Sequence, residues 1–309
     1  MKLPLLFKDN RIQGKTPLRQ AQLIELHLLL VVKELCERHN IQFWLCGGTL
    51  LGALRHNGFV PWDDDLDIMI LKRDYKRFVS VAKEELPEDV YLDLPDTIEA
   101  ERCENVIARL RDNYSTGIIR HNKRLLINDH HGINIDIFCL EECGCKTRFL
   151  TSVLHSYVSN VGWSRRACYD RVTLKNLIKK WGLFVWVGIT GSVWRIAQVL
   201  CCNKPYFSPT NFYVAWKEWH PKDWFVRPGQ KPRMACFEGH EFPIPYNAEE
   251  YLSVLYHDWK QFPPMDKRHG YYGLILPFTP CMHPQAMEYP LPSGDVVSCG
   301  GTLVKATGE

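Results

Sequence analysis

Four carboxylates, Asp63, Asp64, Asp65 and Asp67, crowd the stretch FVPWDDDLDIMI, and a further one, Asp136, stands in GINIDIF. In a strand, alternate residues share a face about 6 to 7 Å apart. Asp65 and Asp67 are therefore expected to project together while Leu66 and Ile68 pack on the other side. Ile133, Ile135 and Ile137 share one face of the second stretch, which leaves Asp136 on the opposite one between Asn134 and Phe138. An ionised carboxylate beside apolar strands is costly unless something pairs with it. A divalent cation would solve the problem at both stretches, because Mg²⁺ takes carboxylate and phosphate oxygens together. The plainer alternative makes Asp63 and Asp64 loop residues, Asp65 a cap and Asp136 the partner of an arginine. An EF-hand is excluded, since neither the glycine nor the terminal glutamate follows at the required spacing.

Gly47-Gly48-Thr49, one short helix upstream, supplies the second half of such chemistry. Glycines let backbone N–H groups approach a phosphate, and a helix N-terminus favours negative charge. Alone, a Gly-Gly pair is more often a tight turn; here it precedes an acidic strand.

The elements that must position these groups are legible as hydrophobic patterns. Thr16-Pro17 reads as a cap and helix start, followed by Leu18, Ala21, Ile24, Leu28, Val31, Val32 and Leu35 at helical spacing up to Asn40. IQFWLC reads as a buried strand, TLLGALRH as a short helix and LDIMIL as a second strand. Tyr75, Phe78, Val79, Ala82 and Leu86 form an amphipathic helix stopped by Pro87. VYLDL, NVIARLR and GINIDIFCL read as further strands. Beyond about residue 145 the pattern turns helical, then aromatic and proline-rich. A hairpin is expected in MACFEGHEFPIPYN and a last helix in AEEYLSVLYHDW, capped by Asn247. The expected class is α/β (α+β): a mixed sheet flanked by helices over 1–145, with a mainly helical extension over 146–309 packed on it and contributing to the substrate site.

Composition bounds the setting. With 309 residues, 46% hydrophobic and 24% charged, the chain has the make-up of a globular protein. A net charge of +3 without a long basic run argues against nucleic acid as partner. Twelve irregularly spaced cysteines do not form a disulfide framework in a chain of this size. Cys139, Cys143 and Cys145 lack the matching second pair that a zinc site needs. The N-terminal apolar stretch is cut off by Lys8 and Asp9, which points to a cytoplasmic protein. The uncharged run WGLFVWVGITGSVW, 181–194, is too short to span a bilayer, which leaves a buried core helix or a peripheral, interfacial segment at the inner membrane face.

The stretch FWLCGGTLLGALRHNGFVPWDDDLDI resembles the defining motif of the LicD family, which includes bacterial phosphocholine transferases and the fukutin-related proteins. The likeness extends to ARLRDNYS, to GINIDIF and more loosely to FEGHEFPIP and YLSVLYHDWKQFPPMDKRHG. It implies a nucleotidyltransferase-like fold and the transfer of phosphocholine or a polyol phosphate from a CDP-activated donor, such as CDP-choline, to a glycan or glycolipid hydroxyl. The setting it implies is modification of cell-surface polysaccharide, lipopolysaccharide or teichoic acid. Carried onto this chain, Gly47, Gly48 and Thr49 hold donor phosphates, and Asp65, Asp67 and Asp136 are catalytic and hold Mg²⁺ or Mn²⁺. Arg55, Arg109, Arg111, Lys267 and Arg268 are the candidates to pair with phosphate oxygens, since guanidinium forks match that geometry. His56 and Trp62 could shape the site, and Trp62, Trp216, Trp219 and Trp224 could cage a quaternary ammonium. Two departures stand out: Cys139 where a proline is common after the DIF motif, and His257 where a glycine is common before the aspartate of the last helix. The rival readings are an NTP-using nucleotidyltransferase that releases pyrophosphate and a non-catalytic glycan-assembly partner.

Overall fold

The computed structural model describes residues 10–94, 106–119, 130–142, 174–201, 207–209, 231–268, 270, 272–281, 288–290, 296–298 and 303–304. Helix α1 (Pro17–Arg38) starts as its sequence demands: Thr16 is extended, and its hydroxyl accepts the Arg19 N–H at 3.2 Å. Its apolar stripe, Ala21, Ile24, Leu28, Val31, Val32 and Leu35, is fully or nearly fully buried. Strand β1 (Phe43–Leu45) leads directly into α2 (Gly47–His56), and β2 (Asp67–Leu71) follows, then α3 (Tyr75–Glu85), β3 (Val90–Asp93), β4 (Val106–Asp112), β5 (Thr116–Ile119) and β6 (Asn134–Glu142). The glycine pair is thus the first turn of α2 itself, not a loop ahead of it.

All of these strands but β5 form a mixed sheet in the order β1-β2-β6-β4-β3, with β7 (Phe207–Pro209) also pairing with β6. Strands β2 and β6 run parallel and the other neighbours antiparallel. Helix α1 lies across β4 and β6. Ile68 and Ile70 of β2 and Ile135 and Ile137 of β6 are inaccessible, as expected for central strands. The mixed sheet with flanking helices is therefore observed.

Later segments complete the same hydrophobic core. The hairpin β8 (Arg233–Phe237) and β9 (His240–Ile244) and helix α5 (Ala248–Tyr256) bury Phe237, Phe242, Ile244 and Leu252 in it, β9 lying against β1, and β8 and α5 against α2. Strand β10 (Tyr272–Leu276) pairs antiparallel with β5. A three-stranded sheet of β11 (Glu288–Pro290), β12 (Val296–Ser298) and β13 (Leu303–Val304) follows. Asn247 precedes α5 but makes no side-chain cap bond; its amide donates instead to Glu250 Oε2 at 2.8 Å.

Helix α4 (Leu174–Cys201) contains the 181–194 run and goes against the first of the two expectations for it, a buried core helix: Trp181, Phe184, Val185, Trp186 and Ile189 are exposed, and among its described side chains only Thr190 and Gly191 are buried. Among the described residues, no helix is long and apolar enough to cross a membrane.

Arg11 joins the beginning of the described chain to the sheet. Its guanidinium donates to both carboxylate oxygens of Asp112, at 2.6 and 3.0 Å, and to the Pro277 carbonyl at 2.6 Å. Both side chains are buried, so losing one strands the other's charge. Arg11→Met is expected to lower unfolding free energy by about 3 to 5 kcal/mol in a urea titration, the usual cost of breaking a buried ion pair. A loss below about 1 kcal/mol would show that water reaches the Asp112 carboxylate.

Candidate active site

The site grows from the sheet's register. Parallel pairing sets Asp67, the first residue of β2, directly beside Asp136 of β6, and the antiparallel neighbour β4 sets Arg109 beside Asp136. Arg109 Nε donates to Asp136 Oδ1 at 2.6 Å, and the Asn134 amide donates to the same oxygen at 2.8 Å. The arginine partner weighed for Asp136 is therefore present. Arg111, two residues along β4, donates to Asp93 Oδ2 at 2.6 Å, to the Gly132 carbonyl at 3.1 Å and to Asn134 Oδ1 at 3.0 Å. It is buried, so its charge holds the β3–β4–β6 end of the sheet together and does not face the pocket.

Helix α2 abuts the carboxylates from the other side. Gly47 has φ +54°, and a Cβ there would come within 2.9 Å of Asp67 Oδ2; a Cβ on Gly48 would come within 2.6 Å of Asp63 Oδ2. Any other residue would push the helix start away from the acids. Thr49 is buried, and its hydroxyl accepts the Asp67 N–H at 2.8 Å, which locks the first turn of α2 to the start of β2.

A cavity of about 490 Å³ opens over this junction. Gly48, Arg55, Asp63, Asp65 and Asp67 line it from the N-terminal half, and Tyr256, Asp258, Trp259, Gln261 and Phe262 from the later half. Gly47 and Thr49 stand behind its wall. Asp64 does not face it: the carboxylate is buried and accepts the Tyr272 N–H at 3.0 Å. Arg55 donates to the Trp259 and Gln261 carbonyls at 2.8 and 3.2 Å, so it clamps the later segment onto α2. Its guanidinium lies 5.0 Å from the Phe262 ring centre, and that of Arg268 lies 4.8 Å from Trp62 and 5.5 Å from Phe262. Such cation–π contacts hold both positive heads beside the rings. His56 meets Trp62 and Phe262 edge-on, which gives it the packing role. Lys267 is exposed in the turn before Arg268. The side chains of Cys139, Cys143 and Cys145 and the three later tryptophans, Trp216, Trp219 and Trp224, lie outside the described residues.

The electrostatics show what the carboxylates lack. Burial pushes Asp63 up to about 6, and it shares a side-chain hydrogen bond with Asp65. Burial, then repulsion from Asp63, raises Asp65 well above the carboxylate range. Asp67 is raised by burial, then by Asp65 and Asp136, against the opposing pull of Arg109. Behind them lies a residue that the hydrophobic pattern hid. Glu25 of α1 is inaccessible, neither carboxylate oxygen has a hydrogen-bond partner among the described residues, and burial followed by Asp64 and Asp65 raises its pKa strongly. The available signal was a glutamate beside Ile24 on the buried stripe of α1. Missed as well were Asp258 and Phe262; the available signal was the likeness running through YLSVLYHDWKQFPPMDKRHG, the stretch that holds both.

These donors suit a hard cation. As the side chains stand, no group of three His, Cys, Asp or Glu among the described residues converges on a single point. Mg²⁺ is commonly held by one or two carboxylates together with substrate phosphates, and Asp65 and Asp67 meet that requirement.

His257 ends α5 with φ +53° and ψ −108°, backbone that only glycine adopts readily. The position carrying an unusual residue in the sequence is thus a strained one at the pocket rim.

Residues 40–115 match the family model described as LicD/FKTN/FKRP, nucleotidyltransferase domain. The lipopolysaccharide cholinephosphotransferase LicD of Haemophilus influenzae is 44% identical over 87 residues, 28% of this chain and 33% of that protein. An uncharacterized protein of Rickettsia prowazekii is 38% identical over 99 residues, 32% of this chain and 33% of that protein. The human ribitol 5-phosphate transferase FKRP is 47% identical over 38 residues, 12% of this chain and 8% of that protein. The chain thus spans a third or less of the length of each of these relatives. The resemblance read from the acidic motif is met by these matches, and two of the three relatives are named as transferases of phosphate-bearing groups.

Two predictions come from this geometry. Below the range where an unfolded carboxylate ionises, near pH 4, the raised acids are protonated in both states. As pH rises the unfolded chain ionises first, so the stability they confer is lost as pH climbs through their folded values, including the value of about 6 for Asp63. The melting temperature of metal-free protein should fall as pH rises above about 4, and Asp63→Asn should flatten that slope between about pH 4 and pH 6; a profile unchanged by the variant would show that Asp63 ionises as if in water. His257→Gly should stabilise the protein by about 1 kcal/mol, strain relief exceeding the entropic cost of glycine. Chemical denaturation checks it, and a destabilised variant would mean that the imidazole contributes more than the strain costs.

Proposed function

We propose that the protein is a metal-dependent transferase of nucleotidyltransferase-like fold. In this reading it moves a substituted phosphate, phosphocholine or a polyol phosphate, from a CDP-linked donor to a glycan hydroxyl. One observation carries the reading: a single cavity is shared by the raised carboxylates Asp63, Asp65 and Asp67, the N-terminal turn of α2 at Gly48, and Arg55 beside an aromatic wall. The matches to a lipopolysaccharide cholinephosphotransferase and a ribitol 5-phosphate transferase support the choice of group transferred.

The chain's own groups suffice to bind, orient and accept a proton. The first turn of α2 presents N–H groups and the positive end of its dipole to the donor diphosphate. Arg55 supplies positive charge in the cavity lining, and Arg268 adds to it from its place over the Trp62 and Phe262 rings. Trp62, Trp259 and Phe262 give the cavity an apolar side, and a charge contact made against it is stronger than one made in open water. The acceptor oxygen forms the new bond to the phosphorus bearing the alcohol, the bond from that phosphorus to CMP breaks, and the hydroxyl proton passes to a cluster carboxylate. Asp63, held near 6, is matched to that proton at neutral pH. Bound at Asp65 and Asp67, with Asp136 adjoining, Mg²⁺ or Mn²⁺ would neutralise donor and carboxylate charge together. Arg109 has a different task, holding Asp136 in place beside Asp67.

Purified protein incubated with CDP-choline, CDP-ribitol or CDP-glycerol and a glycan acceptor should release CMP. EDTA should stop turnover and Mg²⁺ restore it. Asp65→Asn and Asp67→Asn should lose at least about a thousandfold in kcat, in line with removal of a group on which phosphoryl transfer depends, while circular dichroism shows an intact fold. Pyrophosphate from an NTP would establish the nucleotidyltransferase alternative, and turnover unaffected by either substitution would remove these aspartates from the chemistry.

A further inference from the structure

Helix α4 carries its apolar side chains outwards. Phe184, Val185 and Trp186 are consecutive and all exposed, at 45, 59 and 50%. At about 100° per residue they sweep roughly 200° of the helix surface. Leu174, Ile178, Trp181, Val185, Ile189 and Ile196 continue that surface along the axis, all of them exposed. The opposite side is the inner one: Thr190 and Gly191 are buried and Leu183 and Val187 half-buried. The exposed arc is wider than the narrow two-in-seven seam that a second helix would cover, so a coiled-coil partner fits it poorly.

Charge and aromatic content identify what suits the surface. The helix has no acidic residue in 28 and four basic ones, Lys175, Lys179 and Lys180 near its start and Arg195 near its end. Lys179 is exposed. Trp181, Trp186 and Trp194 fall between these bases, and tryptophan is the side chain that favours the headgroup region. The uncharged stretch of 14 residues from Trp181 to Trp194 is about 21 Å long at 1.5 Å per residue, short of the roughly 30 Å of a hydrocarbon core. We propose that α4 lies in the plane of an anionic phospholipid surface, with its exposed apolar arc in the headgroup–acyl boundary and its basic residues against the phosphates. This rests on α4 alone and is independent of the transferase reading.

The experiment uses the full chain and two kinds of large vesicle, one of phosphatidylcholine and one of equal parts phosphatidylcholine and phosphatidylglycerol. The protein should co-sediment with the anionic vesicles, with a blue shift in tryptophan emission, and about tenfold more weakly with the neutral ones, since each basic residue near a charged surface adds attraction. Trp181→Asp with Val185→Asp and Ile189→Asp should abolish co-sedimentation while the melting temperature stays unchanged, because all three side chains are already in water. Lys179→Glu with Lys180→Glu should remove only the preference for anionic vesicles. Equal sedimentation of the wild type and the triple aspartate variant would overturn the proposal. So would a lipid-free dimer of the wild type that the triple variant dissociates, since the surface would then be covered by a second copy of the chain.

Discussion

Uncompensated negative charge is the constraint on which the site depends. Asp63, Asp65, Asp67 and Asp136 meet where two parallel strands begin, and Glu25 adds a fifth carboxyl from the helix behind. Like charges held this close in a poorly solvated place cannot all ionise, so Asp63, Asp65, Asp67 and Glu25 keep their protons above the usual carboxylate range. The fold meets part of the demand with Arg109, placed on Asp136 by strand register. The remainder is left to the cavity, and that residual charge makes a cation and a diphosphate the natural occupants under the proposed function.

The tolerance for this charge comes from how firmly its surroundings are tied. Thr49 joins α2 to β2 through one hydroxyl, the Gly47–Gly48 turn leaves no room for side chains against the acids, and Arg55 holds the turn after α5 over the opening. The same core encloses Ile68 and Ile137 from the sheet and Phe242 and Leu252 from the later segments. The cavity therefore has one wall from each half of the chain. The positive-φ conformation of His257 belongs to the same economy: the chain turns sharply out of α5 so that Asp258 and Trp259 can reach the rim.

Local patterns carried most of the first half. Periodicity, a threonine cap and apolar alternation yield α1, α2, α3, β2, β4 and β6 to within about two residues, because each pattern reflects the element's own period and the burial of one face. Strands β5, β7 and β10 were not legible. They are three to five residues long, and their partners lie far away in sequence or in segments of different character. Helix α4 was legible as a helix but not in its exposure, since an apolar run reads the same whether it faces a core or a lipid surface.

By itself the sequence placed Asp65 and Asp67 on one side, although Asp65 proves to lie just ahead of β2, set Asp136 opposite an isoleucine face, and put a Gly-Gly pair beside a short helix before them. Residue type and a two-residue alternation of the backbone suffice for these. Only the tertiary structure decided which cations face the pocket. Arg109 and Arg111 look equivalent along the chain, yet cross-strand register binds one to Asp136 and the other to Asp93, while Arg55 lines the cavity and Arg268 stacks on the lining rings Trp62 and Phe262. It alone turned Asp64 inward to the Tyr272 backbone and left Glu25 buried with no hydrogen-bond partner among the described residues. The physical reason is the same throughout: a charged side chain's role is set by what lies across from it, and that is fixed by pairings between residues distant in sequence, which no local period encodes.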